Sequence, residues 1–180
     1  MKQDYFYVNN IDKIFIKNLN NYIGKHNLKF LEIGSHSGSS ASGTLNTILT
    51  DPSSTITCVD HWMDKESEDY FDSIVEFYSP RIIKVKSDSV KWLQENQNLV
   101  FDFIYIDGDH SEEVVLADAT NAWGLLKPDG IMAFDDYLLI DSNGNKETKV
   151  GVDKFLESIK EEYQITDNGY QLWITKNNFS

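Results

Sequence analysis

The sequence is short of basic residues, nearly devoid of cysteine and without any long apolar run, and each shortage excludes something. Lys and Arg number 16 against 29 Asp and Glu, for a formal net charge of −13. A chain that grips phosphate backbone needs clustered cations, so nucleic acid and anionic membrane surfaces are poor partners for this one. The acidity itself reads as solvation. Cys58 is the only cysteine, which rules out an intrachain disulfide. Within the apolar run Thr55–Val59 it reads as a small core side chain rather than a reactive thiol. No stretch approaches the roughly 20 apolar residues needed to cross a bilayer. Met1 to Asn10 is charged and aromatic and lacks the hydrophobic region of a signal peptide, so a cytoplasmic protein is expected. Repeats, low-complexity segments and an internal boundary are also lacking. The chain therefore reads as one domain over 1–180, long enough to bury about 70% of its unfolded surface, with 1–27 as an N-terminal helical cap.

What is present begins with Phe30-Leu-Glu-Ile-Gly-Ser-His-Ser-Gly-Ser-Ser40. A short apolar run stops at an acid and a glycine, a Gly/Ser turn follows, and Ala41, Leu45, Ile48 and Leu49 then keep helical spacing. Strand, Gly-rich turn and helix form the opening unit of a nucleotide-binding α/β domain. Gly34 and Gly38 let the backbone turn and let a ligand approach where a Cβ would obstruct it. A dinucleotide fingerprint would read G-x-G-x-x-G. Here the spacing is E-x-G-x-x-x-G, which disfavours a nicotinamide-dependent oxidoreductase.

The rest of the chain alternates. Ile11 to His26 has the apolar spacing of an amphipathic helix, capped by Asn9 or Asn10 and ended by Gly24 and Asn27. Strands are expected at Phe30–Ile33, Thr55–Val59, Ile82–Lys86, Phe101–Ile106 and Ile131–Phe134. Helices are expected at Glu66–Tyr78, Val90–Gln94, from Ser111 through Leu126, and over Val152 to Tyr163. Lys127-Pro-Asp-Gly130 reads as a turn and Leu138 to Lys149 as a long polar loop. Gln164–Thr166 and Tyr170–Thr175 read as a hairpin about Asn168-Gly169. The expected fold is α/β: a Rossmann-like, doubly wound, mostly parallel sheet closed by an antiparallel C-terminal hairpin.

Each of the five strands ends at or near a carboxylate: Glu32, Asp60, Asp88, Asp107 and Asp135. Acids often cap the helices that follow strands, which accounts for Asp88 but poorly for Asp60, whose successors are His61 and Trp62. An acid ending the second strand is placed to accept both ribose hydroxyls of a nucleoside lying over the sheet. Ser87, Asp88 and Ser89 are placed for an adenine edge, and Trp62 offers a face for stacking. His36 and His61 could also line the site, whereas His26 reads as the end of a surface helix.

Leu31-Glu-Ile-Gly-Ser-His-Ser-Gly38, Val59-Asp-His-Trp62, Ser87-Asp-Ser89, Ile104-Tyr-Ile-Asp-Gly-Asp-His-Ser111 and Leu126-Lys-Pro-Asp-Gly-Ile-Met-Ala-Phe-Asp-Asp-Tyr137 fall in one order. That order resembles the class I S-adenosylmethionine-dependent methyltransferases, in particular the small bacterial and natural-product O-methyltransferases. The resemblance covers about Leu28 to Ile174. It implies a seven-stranded sheet and S-adenosylmethionine held by Glu32, Gly34, Ser35, Gly38, Ser39, Asp60, His61, Trp62, Ser87, Asp88, Ser89 and Asp107. In metal-dependent relatives magnesium is held by the acid of D-G-x-H and by two consecutive acids after the next strand. Those positions are Asp107, Asp135 and Asp136, with His110 as the candidate general base, alongside Asp107, in the catalytic centre. Two bland alternatives stand beside this: Asp135-Asp136 as a polar strand end, and His110 as a loop or cofactor contact. The implied reaction is transfer of a methyl group to a small-molecule hydroxyl. A nucleoside-binding module without catalysis is the alternative, and a second subunit could close a site whose lid material is so short.

Overall fold

The computed structural model describes residues 13–178. Ile11 and the proposed cap at Asn9 or Asn10 therefore lie outside the described residues. Helical backbone (α1) runs over residues 13–19 and tightens into a single 3-10 turn, Asn20–Tyr22. The helix thus ends earlier than its apolar pattern suggests. Phe15 and Leu19 are buried, but Ile23 is exposed beyond the turn.

The remaining elements follow as β1 (Lys29–Ile33), α2 (Ser39–Thr47), β2 (Thr55–Asp60), α3 (Lys65–Tyr78), β3 (Ile82–Lys86), α4 (Ser89–Glu95), β4 (Phe101–Ile106), α5 (Glu112–Trp123), β5 (Leu126–Phe134), α6 (Glu147–Ser158), β6 (Tyr163–Asn168) and β7 (Leu172–Lys176). The seven strands form one sheet in the order β3-β2-β1-β4-β5-β7-β6. All neighbours from β3 to β5 are parallel, and β7 runs antiparallel between β5 and β6.

Strand periodicity splits the core in two. Phe30, Cys58, Phe103, Tyr105 and Trp173 face the layer of α1 to α3, while Leu31, Ile33, Ile104 and Ile106 face α4 to α6. Both faces are covered, which is why the strands read as apolar runs rather than as alternating patterns. Aromatic packing ties the N-terminal helix to the last strand: Trp173 stacks on Phe103 at 5.5 Å, and Phe15 meets Trp173 edge-on at 5.3 Å.

Four sequence expectations need correction. Lys127 to Gly130 is not a free turn. It bulges within β5, where Leu126 pairs with Phe101 and Ile131 with Phe103, and Asp129 takes a left-handed φ of 60°. The strand therefore starts at Leu126, and the glycine and proline mark the bulge. The polar loop after β5 is cut short by α6, which begins at Glu147. That helix ends at Ser158, so Tyr163 opens β6 instead of closing a helical face. The hairpin turn also shifts: Asn168 still pairs with Leu172, and Gly169 donates its amide to Gln171 O at 2.9 Å across the turn.

Candidate active site

Adjacent parallel strands stop at one level because the ladder runs a residue past each of them. Gly34 N donates to Val59 O (2.9 Å), Asp107 N to Ile33 O (2.8 Å), Asp135 N to Ile106 O (3.0 Å) and Ser87 N to Asp60 O (3.0 Å). The strand-end residues read from the sequence are thereby aligned along one rim. The chain reverses direction of winding between β1 and β4, and ligands of open parallel sheets bind at such a switch point. A cleft of about 800 Å³ opens there, lined on one side by Gly34, His36, Asp60, His61 and Trp62, and on the other by Ser87 to Ser89 and Asp107 to His110.

Asp60 organises the near wall. Its Oδ2 accepts the His36 amide at 2.8 Å and its Oδ1 accepts the Trp62 amide at 2.7 Å. Trp62 Nε1 donates to His36 O at 2.7 Å. His36 and Trp62 both have φ of 44°, a left-handed conformation that is costly for non-glycine residues and persists where surrounding bonds impose it. The Trp62 ring is only 4% exposed and packs on Phe71 at 4.7 Å, so it chiefly anchors this turn. Each Asp60 oxygen keeps acceptor capacity toward the cleft. Across the opening, His61 Nε2 lies 3.4 Å from Asp88 Oδ2, and Asp88 caps α4 through the Lys91 amide at 2.8 Å.

Gly34 is the cradle. A Cβ there would lie 2.1 Å from the Asp107 carbonyl oxygen, and its φ is 84°. Glu32 and Ser35 lie behind this turn, outside the cleft lining. Glu32 is 2% exposed, accepts from Ser40 Oγ at the start of α2 and from Cys58 Sγ at 3.5 Å, and burial pushes its carboxyl upward. Ser35 Oγ is buried beside it without a well-formed hydrogen bond. Gly38, with φ of 80°, caps α2, and Ser39 borders a second hollow on the outer side of the turn with Asp64, Ser67 and Tyr70.

The acids beyond β4 and β5 meet, but not in the expected trio. Among the described residues, ligand atoms of Asp107, His110 and Asp136 lie within 4.8 Å of one another. His110 Nε2 is 2.9 Å from Asp136 Oδ2, and Tyr170 Oη donates to Asp136 Oδ1 at 2.5 Å. Asp135 is turned the other way: Tyr105 Oη donates to its Oδ2 at 2.7 Å. Strand parity explains the split. Ala133 faces the α1–α3 layer, so Asp135 two residues on does too. Asp136 has a φ of 53°, which ends the strand and swings its carboxylate back toward His110. Burial, then the neighbouring Asp135, raises the Asp107 carboxyl well above the usual carboxylate range. Burial likewise raises Asp135. The His110 hydrogen bond lowers Asp136, and reciprocally Asp136 raises His110.

Sequence reasoning missed Tyr105, Gln171, Tyr170 and Asp118. Gln171 Nε2 donates to Tyr105 Oη at 3.2 Å and its Oε1 accepts from Trp173 Nε1 at 3.0 Å, completing a buried chain beneath Asp135. Only the alternation of F-D-F-I-Y-I, which puts Tyr105 in line with Asp107, carried any signal for it.

Among curated proteins, none matches the chain in sequence. Several solved structures share its fold. An O-methyltransferase from Bacillus cereus in complex with SAH is 18% identical with a TM-score of 0.65, and the match covers 97% of this chain and 91% of that one. MycE methyltransferase of the mycinamycin biosynthetic pathway, in complex with Mg, SAH and mycinamycin VI, is 16% identical with a TM-score of 0.70, covering 92% of this chain and 49% of that one. CalS11, a TDP-rhamnose 3'-O-methyltransferase of calicheamicin biosynthesis, is 14% identical with a TM-score of 0.67, covering 97% and 80%. At these identities the likeness establishes the fold. The family model described as a methyltransferase domain matches residues 31–137, from the middle of β1 through the Asp135-Asp136-Tyr137 turn, more than half of the chain. The chain belongs to the methyltransferase domain family.

Proposed function

We propose that the protein transfers the methyl group of S-adenosylmethionine to a hydroxyl of a small molecule. The observation that carries this reading is the union, over one cleft, of a nucleoside-sized wall and an acid–imidazole cluster. The wall is Asp60, Ser87 to Ser89 and the Gly34 cradle; the cluster is Asp107, His110 and Asp136. Asp60 would take the ribose hydroxyls with the acceptor capacity its two amide bonds leave. His61 and Asp88 would border the purine. Gly34 lets the sulfonium end lie against backbone, where any side chain would collide with Asp107 O.

The reaction is an in-line displacement. The acceptor oxygen forms a bond to the methyl carbon as the carbon–sulfur bond breaks, its electron pair returning to sulfur, and the hydroxyl proton must leave. The protein therefore positions two reactants and supplies one base. His110 is that base: Asp136 holds its Nε2 at 2.9 Å, leaving Nδ1 to take the proton.

The donor set also fits a divalent cation, because the buried Asp107 carboxyl, raised by burial and by neighbouring acids, is relieved by a positive ion. Asp107 and Asp136, with His110 at their side, would hold it, and the charge of Asp135 near Asp107 adds to the crowding that an ion relieves. Such an ion would lower the pKa of the acceptor hydroxyl. The MycE complex with Mg and SAH lends support by fold alone.

Calorimetry with S-adenosylhomocysteine and with NAD, followed by methyl-transfer assays over sugar, diol and phenol acceptors with and without EDTA, tests the reading. S-adenosylhomocysteine should bind and NAD should not. His110→Ala should cut turnover by roughly 10²–10⁴ while cofactor affinity stays within a few-fold. Binding of NAD in place of S-adenosylhomocysteine would overturn the reading. Full activity in EDTA would remove the ion and leave His110 and the acids as direct acceptor contacts.

A further inference from the structure

Beyond His110 the nucleoside cleft gives way to a second hollow of about 220 Å³, lined by Asp109, His110, Leu139, Asp141, Glu147 and Thr148 among others. Cleft and hollow share Asp109 and His110, so the base borders both. Thr148 Oγ1 donates to His110 O at 3.3 Å, which ties the start of α6 to the backbone of the base. A pocket of about 10 Å³ against Asp107 and Asp135 admits no more than a water. With a nucleoside and its sulfonium end laid along the cleft, the hollow is the space beside His110 left for an acceptor. Its chemistry is one-sided. Asp109, Asp141 and Glu147 bring carboxylates, and among the described residues no Lys or Arg lines the hollow or the cleft. Asp141 Oδ1 accepts the amides of Asn145 (2.7 Å) and Asn143 (2.8 Å), which hold its carboxyl below the usual carboxylate range. Two lysines of α6 are already engaged, Lys149 by Asp153 and Tyr137 and Lys154 by Glu112. The positive ends of α5 and α6 carry Glu112, Glu113 and Glu147 in their first turns, so they offer an anion little.

We propose that the methyl acceptor is a hydroxylated amine, such as an amino sugar, whose ammonium group lies among Asp109, Asp141 and Glu147 while its hydroxyl meets His110. The proposal rests on the methyl-transfer reading and deepens it by naming the acceptor. An ammonium group has three donors and a positive charge, and this hollow supplies acceptors and negative charge. The same field turns anionic acceptors away. A nucleotide sugar, an acyl-CoA or a carboxylic acid would bring charge of the wall's own sign to a place with no basic side chain to receive it. A divalent ion at Asp107 and Asp136 would leave the carboxylates of Asp109, Asp141 and Glu147 unanswered.

The carboxylates also decide which atom receives the methyl group. A protonated amine has no lone pair to offer the methyl carbon, and acids beside it keep it protonated. The hydroxyl at His110 has lone pairs and a base for its proton, so oxygen is the nucleophile. The ammonium group takes no part in the bond change and leaves intact on the O-methyl product.

Two matched acceptor series test this, each with a cationic, a neutral and an anionic member. One is glucosamine, N-acetylglucosamine and glucuronate; the other is dopamine, hydroxytyrosol and dihydroxyphenylacetate. In both, kcat/KM for methyl transfer should fall in that order, by about tenfold from the cationic to the neutral member at low salt. High salt should narrow the gap. Mass spectrometry of the products should place the methyl group on oxygen. Glu147→Gln should narrow the ratio of cationic to neutral acceptor, and Glu147→Lys should shift preference toward the anionic member. A neutral or anionic member used as well as the amine by the natural chain overturns the proposal, and so does methylation at nitrogen. An undiminished ratio in folded Glu147→Gln and Asp141→Asn overturns it too. Transfer to no member of either series, by a chain that binds S-adenosylhomocysteine, would be a different result: it would overturn the methyl-transfer reading itself.

Discussion

A methyl group added at Gly34 would sit 2.1 Å from one backbone atom of Asp107 and 2.5 Å from another, in a residue whose φ is already 84°. Neither clash can be relieved by rotating a side chain. Gly34→Ala should therefore cost on the order of 3 kcal/mol or more and abolish S-adenosylhomocysteine binding in any fraction that folds; denaturant unfolding and calorimetry check the two effects separately. Asp118 offers the opposite experiment, because its cost varies with pH. Its folded carboxyl is lifted from 3.8 to about 6, so the folded chain holds a proton that the unfolded chain releases between those values. The unfolded state binds fewer protons in that window, and stability must fall as pH rises from about 4 to about 6, by up to about 3 kcal/mol. Asp118→Asn should flatten this part of the stability–pH profile. Identical slopes in the two proteins would show that the acid is not perturbed.

The β6–β7 hairpin is the element that the acid cluster depends on from a distance. Its turn delivers Gln171 to Tyr105 and Tyr170 to Asp136, so Asp136 directly, and Asp135 beside the cluster through Tyr105, are oriented by residues at the far end of the chain. Gln171→Ala would strand Trp173 Nε1, which is buried, and remove one of the bonds that hold Tyr105 on Asp135. The expected cost is about 1–3 kcal/mol of stability. Methyl transfer should fall with little change in S-adenosylhomocysteine affinity, because Gln171 and Asp135 lie outside the cleft lining. Parallel losses of turnover and cofactor affinity would count against this division of labour.

At the scale of the whole molecule, β7 is a central strand, not an appendage. Leu172, Trp173 and Ile174 are 1%, 0% and 0% exposed, and both cores reach them. Without β7, β5 would become an open edge and the α1 face would lose the aromatic stack on Phe103. A chain ending at Lys160 should therefore show no cooperative thermal transition and lose its near-ultraviolet dichroism. A sharp transition in that truncated chain would mean that the parallel half folds alone. No helix among the described residues is long and apolar enough to cross a membrane.

What the sequence determined by itself was local. The strand–turn–helix units, the glycine that must lack a side chain and the row of strand-end acids follow from period, turn chemistry and spacing, all of which act within about a dozen residues. The order of the parallel strands then brought Gly34, Asp60, Ser87 and Asp107 to one rim. Tertiary structure decided which of those side chains meet. Asp135 and Asp136 are neighbours in sequence, yet strand parity sends one to Tyr105 and a left-handed turn sends the other to His110. Tyr170 and Gln171 reach the same cluster from 34 and 66 residues away, through a register that no local pattern encodes. Asp118 carries no signal in the local pattern of its helix, and only the packing of α5 under Gly108 buries it. Side-chain direction depends on what covers each face, and that is settled when the layers pack.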